Sequence, residues 1–223
     1  MGGFCVGASS ATVAAHDSRI REQVKFVNFF GGYYDARDLL ASVVSSTRFG
    51  DGTEEPWEPD KLSIEVVNTH LVEGLSDLSE RDLLFRAFVA RDAILDHAVV
   101  AALSSDARIV FELLSGVDLT RATELINALS PRALDVLDTI SPETNIDQLE
   151  ARVLLMHDRE DQLVSSEESR RLAAALADSN RAYHTEFSLF QHVDPTRSVS
   201  LPIYVKELLK LYLHMYHVLK ELS

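Results

Sequence analysis

The first 35 residues carry signals in an order that leaves little topological freedom. Gly2 to Ala8 is a short apolar run that reads as a buried strand, and Ser10 to His16 continues as the opening turns of a helix launched by a sharp turn. Residues 24–35, VKFVNFFGGYYD, are a second apolar, β-branched and aromatic run closed by the pair Gly31-Gly32. Strand, helix, strand in that order predicts parallel pairing through a right-handed crossover.

The pattern then changes. Residues 36–60 are polar and punctuated by Gly50, Gly52, Pro56 and Pro59, so a loop is the natural assignment. From 61 to 140 the apolar residues recur at helical spacing, with breaks near Gly74, Gly116 and Pro131. An insertion of roughly eighty residues is far longer than an ordinary connection between strands. Strand character returns in ARVLLMHD (151–158), and Ser165 or Ser166 caps a helix with acidic residues in its first turn. AYHTEFSLF (182–190) is the fourth strand, and the loop QHVDPTRS leads to a terminal helix. The expectation is an α/β fold with a mostly parallel sheet of about four strands. Residues 1–60 and 141–223 form its core, and 61–140 form a helical cap inserted between the second and third strands.

A chain of 223 residues with 46% hydrophobic and 25% charged side chains can bury a sizeable core. Its formal charge of -14 repels a nucleic-acid backbone, so no nucleic-acid partner is expected. A single cysteine, Cys5, excludes an internal disulfide and any cysteine-built metal site, which fits a reducing cytoplasm. Polar residues arrive at His16, Asp17 and Arg19 after a short run of small residues, unlike a secretory leader. The segment LPIYVKELLKLYLHMYHVLKEL is interrupted by Lys206, Glu207, Lys210 and Lys220, so it reads as a terminal helix docked on the core rather than a membrane span. Its His214 and His217 read as part of a polar stripe with Lys206, Lys210 and Glu221 rather than a metal pair, and no cofactor is implied.

Ligands gather at the carboxyl ends of parallel strands, so the residues just past each strand carry the functional expectation. Ser9 follows the first strand, Asp161 the third and His192 the fourth. A serine hydroxyl attacks well only when a base takes its proton, and an imidazole does this best when a carboxylate fixes its tautomer. Ser10 is the rival to Ser9, and Asp158 and Glu160 are rivals to Asp161 within the acidic run HDREDQ. Gly32, Tyr33 and Tyr34, at the end of the second strand, read as pocket lining or as a turn packed on the insertion.

Across its whole length the chain resembles the α/β-hydrolase superfamily, from the nucleophile elbow onward. That family carries G-x-S-x-G between a strand and a helix, and its triad follows in the order Ser, acid, His. Here GASSA supplies Gly7 and Ser9, LLMHDREDQLV is similar to the acid loop with Asp161 as the acid and His157 as a structural loop residue, and FSLFQHVDP is similar to the histidine loop with His192 as the base. The resemblance implies a nucleophile at Ser9 and an oxyanion donor in the N–H of Ser10. Three departures accompany it. Ala11 replaces the last elbow glycine, and Asp158 replaces the glycine after the loop histidine, adding a like charge that raises carboxylate pKa values if the groups converge. Strands that precede the family's elbow, and the loop supplying its second oxyanion donor, have no counterpart here. Losing one such donor costs about a hundredfold to a thousandfold in turnover.

Two readings follow from the resemblance. The first is an esterase-like serine hydrolase acting on a small-molecule acyl substrate through Ser9, His192 and Asp161. The second is an inactive or truncated relative that binds a partner, because an elbow strand at an open sheet edge invites a second copy or a companion segment.

Overall fold

The computed structural model of the chain describes residues 1–190, 192 and 198–222, so most of the loop QHVDPTRS lies outside the described residues. The chain divides into two compact units, Met1–Leu39 with Asp138–Ser223, and Leu40–Leu137. The first unit contains β1 (Gly2–Phe4), α1 (Val6–His16), β2 (Phe26–Phe30), and the start of α2 (Ala36–Ser45). The second adds a hairpin of β3 (Thr47–Gly50) and β4 (Thr53–Pro56), then α3 (Lys61–Glu73), α4 (Leu78–Phe88), α5 (His97–Ala102), α6 (Ser105–Leu114), α7 (Leu119–Asn127) and most of α8 (Pro131–Ile140). The chain then returns to the first unit with β5 (Arg152–Asp158), α9 (Glu167–Ala175), β6 (Ala182–Phe187) and α10 (Leu201–Leu222).

The first unit is built on a four-stranded sheet in the order β1-β2-β5-β6, parallel throughout, with Gly2 opposite Asn28, Phe26 opposite Arg152 and Val153 opposite Ala182. This is the expected α/β class and strand number. Both faces of β2 and β5 are covered, which is why these strands read as largely apolar runs. On one face Ala8 and Ala15 of α1 and Leu172 of α9 pack against Val27, Phe29, Val153 and Leu155. On the other, Phe30 and Met156 join Phe187, Leu189 and Phe190, with Leu211 of α10 against them. Because the strands run in parallel, Cys5, Gly31, Asp158 and Ser188 all lie at one end of the sheet.

Strand β1 is an edge strand, and its Phe4 is 62% exposed. The strand stops at Phe4 rather than running to Ala8, so the sharp turn falls at Cys5. Gly7, Ala8 and Ser9 carry no β-forming side chain, and the helix takes them.

The second unit has its own core, with Leu71, Val72, Leu84, Val110, Leu113 and Ile126 at its centre. Five of its helices start on a capping side chain: Asp60, Asp77, Asp96, Ser104 and Asp118 each accept a backbone N–H from the first turn. Part of the acidic excess is therefore placed where helix dipoles favour it. Residues 36–60 are not a loop: Asp35 accepts the N–H of Arg37 at 2.8 Å to open α2, and the glycines and prolines shape only the hairpin that follows.

Among the described residues no helix is long and apolar enough to cross a membrane. Helix α10 is docked as expected, but by the wrong face for a surface helix. Its Glu207 and His214 are buried, while Leu201, Tyr212 and Leu219 are exposed.

Candidate functional site

The turn between β1 and α1 is the most strained backbone near the strand ends. Cys5 adopts φ 52° and ψ -135°, a combination that costs a non-glycine residue on the order of 1–3 kcal/mol and persists only where the fold enforces it. Enforcement comes from both sides. The Cys5 N–H donates to Phe30 O at 2.8 Å, which locks it to β2, and Ala8 N–H returns to Cys5 O at 2.8 Å. Gly3 is needed for the turn to close, because a Cβ there would lie 2.2 Å from the carbonyl oxygen of Gly7. Gly7 itself has nothing within 4 Å of the corresponding position. The thiol thus stands at the amino end of an eleven-residue helix, where N–H groups and the helix dipole favour a thiolate.

His192 follows β6 and approaches from the far side of the sheet end. Its Nδ1 donates to Asp161 Oδ2 at 2.6 Å, while Asp161 Oδ1 accepts the N–H groups of Leu163 and Val164 at 2.7 and 3.1 Å. Burial alone would raise the Asp161 pKa, but hydrogen bonds and charge from His157 and His192 hold it well below the usual carboxylate range. The expected mutual elevation of neighbouring acids does not occur at Asp161. Asp158 serves elsewhere, accepting Glu160 N–H and Phe190 N–H at 2.9 Å each, which ties the end of β5 to the segment leading to His192.

His157 is fully buried, and its Nε2 lies 3.0 Å from Val164 O and 3.4 Å from Asp161 Oδ2. A carbonyl can only accept, so Nε2 carries the proton and braces the Asp161 loop.

The remaining ring nitrogen of His192, Nε2, is buried and closes no hydrogen bond of regular geometry. The group whose ionisation His192 favours most directly is the Cys5 thiol. Burial pushes the thiol pKa up, but the nearby imidazole of His192 and its positive charge, with the N–H of Val6, outweigh it and bring the value below the ordinary 9.0. In return, burial would strip the proton from His192, and Asp161 and Cys5 together overcome that and raise its pKa to about 9. Both shifts favour a thiolate beside an imidazolium.

Ser9 is not part of this arrangement. It is fully buried one helical turn beyond Cys5, where its hydroxyl donates to Tyr33 O at 2.7 Å and accepts the N–H of Tyr33 at 2.9 Å. Its proton is committed to a carbonyl, and among the described residues no base is bonded to it. Ser10, in turn, lies beyond the first four residues of α1, so its N–H belongs to the intrahelical ladder and is no oxyanion donor. The residue after the elbow is Val6. Gly32 lines no pocket, since a Cβ there would lie 2.9 Å from both Ala8 Cβ and Ser9 Oγ; it lets the end of β2 approach α1. Tyr33 and Tyr34 are buried, and the N–H groups of Tyr34 and Asp35 donate to the buried Glu168 carboxylate at 2.9 and 3.1 Å. The Tyr33 phenol is pushed up to about 12 by burial and by the charges of Cys5 and Glu168.

Cys5, which the serine-centred reading did not weigh, is the residue that stands at this turn. Gly3-Phe4-Cys5-Val6-Gly7 spells the elbow spacing with a thiol in place of the hydroxyl and with both glycines present, so the Ala11 departure disappears. Among the described residues no group of three His, Cys, Asp or Glu is arranged to hold a metal ion.

No family model matches the chain, and no curated protein does. Among solved structures it is similar to the meta-cleavage product hydrolase of Pseudomonas fluorescens IP01, at 15% identity and a TM-score of 0.39 over 97% of this chain and 63% of that one. It is similar also to an acetylester hydrolase from Corynebacterium glutamicum, at 15% identity and a TM-score of 0.33 over 96% of this chain and 60% of the other. The chain thus spans about three fifths of the length of these structures.

Proposed function

We propose that the chain is a hydrolase of the α/β-hydrolase type that cleaves an ester or related acyl bond with Cys5 as nucleophile, His192 as acid and base, and Asp161 as the group that orients His192. The observation that carries this is the strained Cys5 backbone holding a pKa-lowered thiol against an imidazole that is itself bonded to a buried carboxylate at 2.6 Å. Strain of this kind concentrates at functional sites, and a thiolate-imidazolium pair is the activated form of a cysteine nucleophile.

In this reading the thiolate sulfur attacks the acyl carbon, and the carbonyl π electrons move onto oxygen, where the N–H of Val6 at the start of α1 holds the oxyanion. His192 gives its Nε2 proton to the departing alkoxide as the C–O bond breaks, leaving a thioester on Cys5. Water then attacks the thioester while His192 takes its proton, and the thiolate leaves to restore the starting pair. Asp161 keeps the imidazole in the tautomer and orientation both steps need.

An activated p-nitrophenyl ester is the fitting first substrate, since its leaving group needs little proton transfer. Hydrolysis is expected from the wild-type chain, loss of it from Cys5→Ala, and retention in the folded fraction of Ser9→Ala. Loss in Ser9→Ala with unchanged turnover in Cys5→Ala would return the nucleophile to the serine and overturn the proposal.

A further inference from the structure

Helix α10 carries its polar residues toward the protein and its apolar residues toward water. Glu207 accepts the N–H of Ser188 at 3.0 Å and an N–H of Lys210 at 2.7 Å, and Lys210 also donates to Glu186 O at 2.8 Å. His214 lies 3.0 Å from the Thr185 hydroxyl, His217 stacks on Tyr183 with ring centroids 3.9 Å apart, and Glu221 pairs with Arg152 at 2.6 Å. These five residues recur at spacings of three and four and fix one face of the helix to the sheet.

The other face repeats with the same rhythm and opposite character. Leu201, Val205, Leu208, Tyr212, Met215 and Leu219 alternate at spacings of four and three and are 74, 58, 41, 68, 42 and 61% exposed. Leu209 and Tyr216 flank the stripe and are also exposed. A surface helix in water has the reverse arrangement, and a contiguous apolar patch of more than a few hundred Å² marks an interaction surface.

We infer that this stripe is a dimer interface, on which α10 of a second copy of the chain packs. A repeat of 3.5 residues is the seam of two supercoiled helices, and a helix bearing such a seam is complementary to another copy of itself along its full length. Side chains of this size and exposure offer roughly 100 Å² each, so the stripe and its flanks present about 800 Å² per copy, the area a stable complex typically buries on each partner. No charged residue lies in the stripe itself; Glu207, Lys210 and Glu221 are held on the inner face, and Lys206 and Lys220 are exposed beside the flank of Leu209 and Tyr216. The seam therefore brings two copies together through apolar side chains, and the charges at its border, Lys206 and Lys220, are opposite in sign to the chain's net -14. A bilayer surface fits less well, because an interfacial helix sets a free, basic polar face against its apolar one, and here the polar face is bonded to the protein.

Sedimentation equilibrium of the wild-type chain tests this, and a dimer is expected at micromolar concentration. The paired substitution Leu208→Glu with Leu219→Glu touches only exposed side chains and is expected to give a monomer with unchanged far-ultraviolet circular dichroism. Tyr212 sits at the middle of the stripe and meets its twin in either helix direction, so Tyr212→Cys in a Cys5→Ser background is expected to form a disulfide-linked dimer on oxidation, whether or not the charged variant folds. A monomeric wild type, a monomer that cosediments with phosphatidylcholine vesicles, or a dimer in which the Tyr212→Cys chains fail to cross-link would each overturn the inference.

Discussion

His192 reaches Asp161 through Nδ1 at 2.6 Å, and the same imidazole favours the ionised form of the Cys5 thiol. One imidazole thereby connects a buried carboxylate to a cysteine at the head of a helix. The charge relation this creates is directly measurable.

The Cys5 thiol is expected to ionise below its ordinary pKa, because His192 and the N–H of Val6 outweigh burial. The pH dependence of iodoacetamide alkylation reports this. In His192→Ala burial remains while its compensation is gone, so the inflection is expected to move upward. Below it, alkylation slows about tenfold for each pH unit that the inflection moves. An unchanged profile in His192→Ala would show that the two residues are uncoupled.

With an alkyl ester, whose alkoxide must be protonated as it leaves, activity is expected to rise as Cys5 ionises and to fall above about pH 9, where His192 loses that proton. Asp161→Asn removes the group that raises the histidine pKa, so the alkaline limb is expected to move down. Turnover should drop by about a hundredfold or more, the usual worth of a positioned acid-base group. An alkaline limb that stays in place would separate Asp161 from the titration of His192.

Gly31 has φ +63°, and a Cβ there would lie 3.2 Å from His192 Cε1 and 3.6 Å from Asp161 Oδ2. Gly31→Ala is expected to displace the imidazole, lowering turnover more than it lowers the melting temperature. A variant with native turnover would show that the histidine has room to spare.

The strand pattern and the parallel pairing were legible in the sequence because each rests on a local signal, the largely apolar runs of β2 and β5, and the pairing of Asp161 with His192 follows from polar residues placed just after strands. The apex of the turn was not. Small residues from Gly7 to Ala11 look like a tight turn, but tightness is set by backbone angles, and only the structure places the positive φ at Cys5 rather than Ser9. The hydroxyl of Ser9, which reads as reactive, is spent on Tyr33. Helix α10 misled in a similar way: its polar stripe reads as a solvent face, and its partners Thr185, Tyr183 and Arg152 come from strands distant in sequence.

That buried stripe makes stability depend on pH. Burial, with the charges of His217 and His184, lowers the pKa of His214 to about 4 from an ordinary 6.5. The unfolded chain therefore takes up this proton first as pH falls, and the stability His214 confers is complete above about 6.5 and lost between there and 4. The change is on the order of 3 kcal/mol. Denaturant unfolding measured from pH 7 to 4 is expected to show that loss, and His214→Gln to flatten it; equal slopes would assign the acid sensitivity to other groups.

The identity of the nucleophile is tested most directly by trapping the acyl-enzyme. After brief exposure to p-nitrophenyl acetate and acid quenching, the tryptic peptide Met1–Arg19 contains both Cys5 and Ser9, and fragment ions distinguish them. One acetyl group on Cys5, absent from His192→Ala, is the expected result. An acetyl group on Ser9 or Ser10, with Cys5 unmodified, would contradict it.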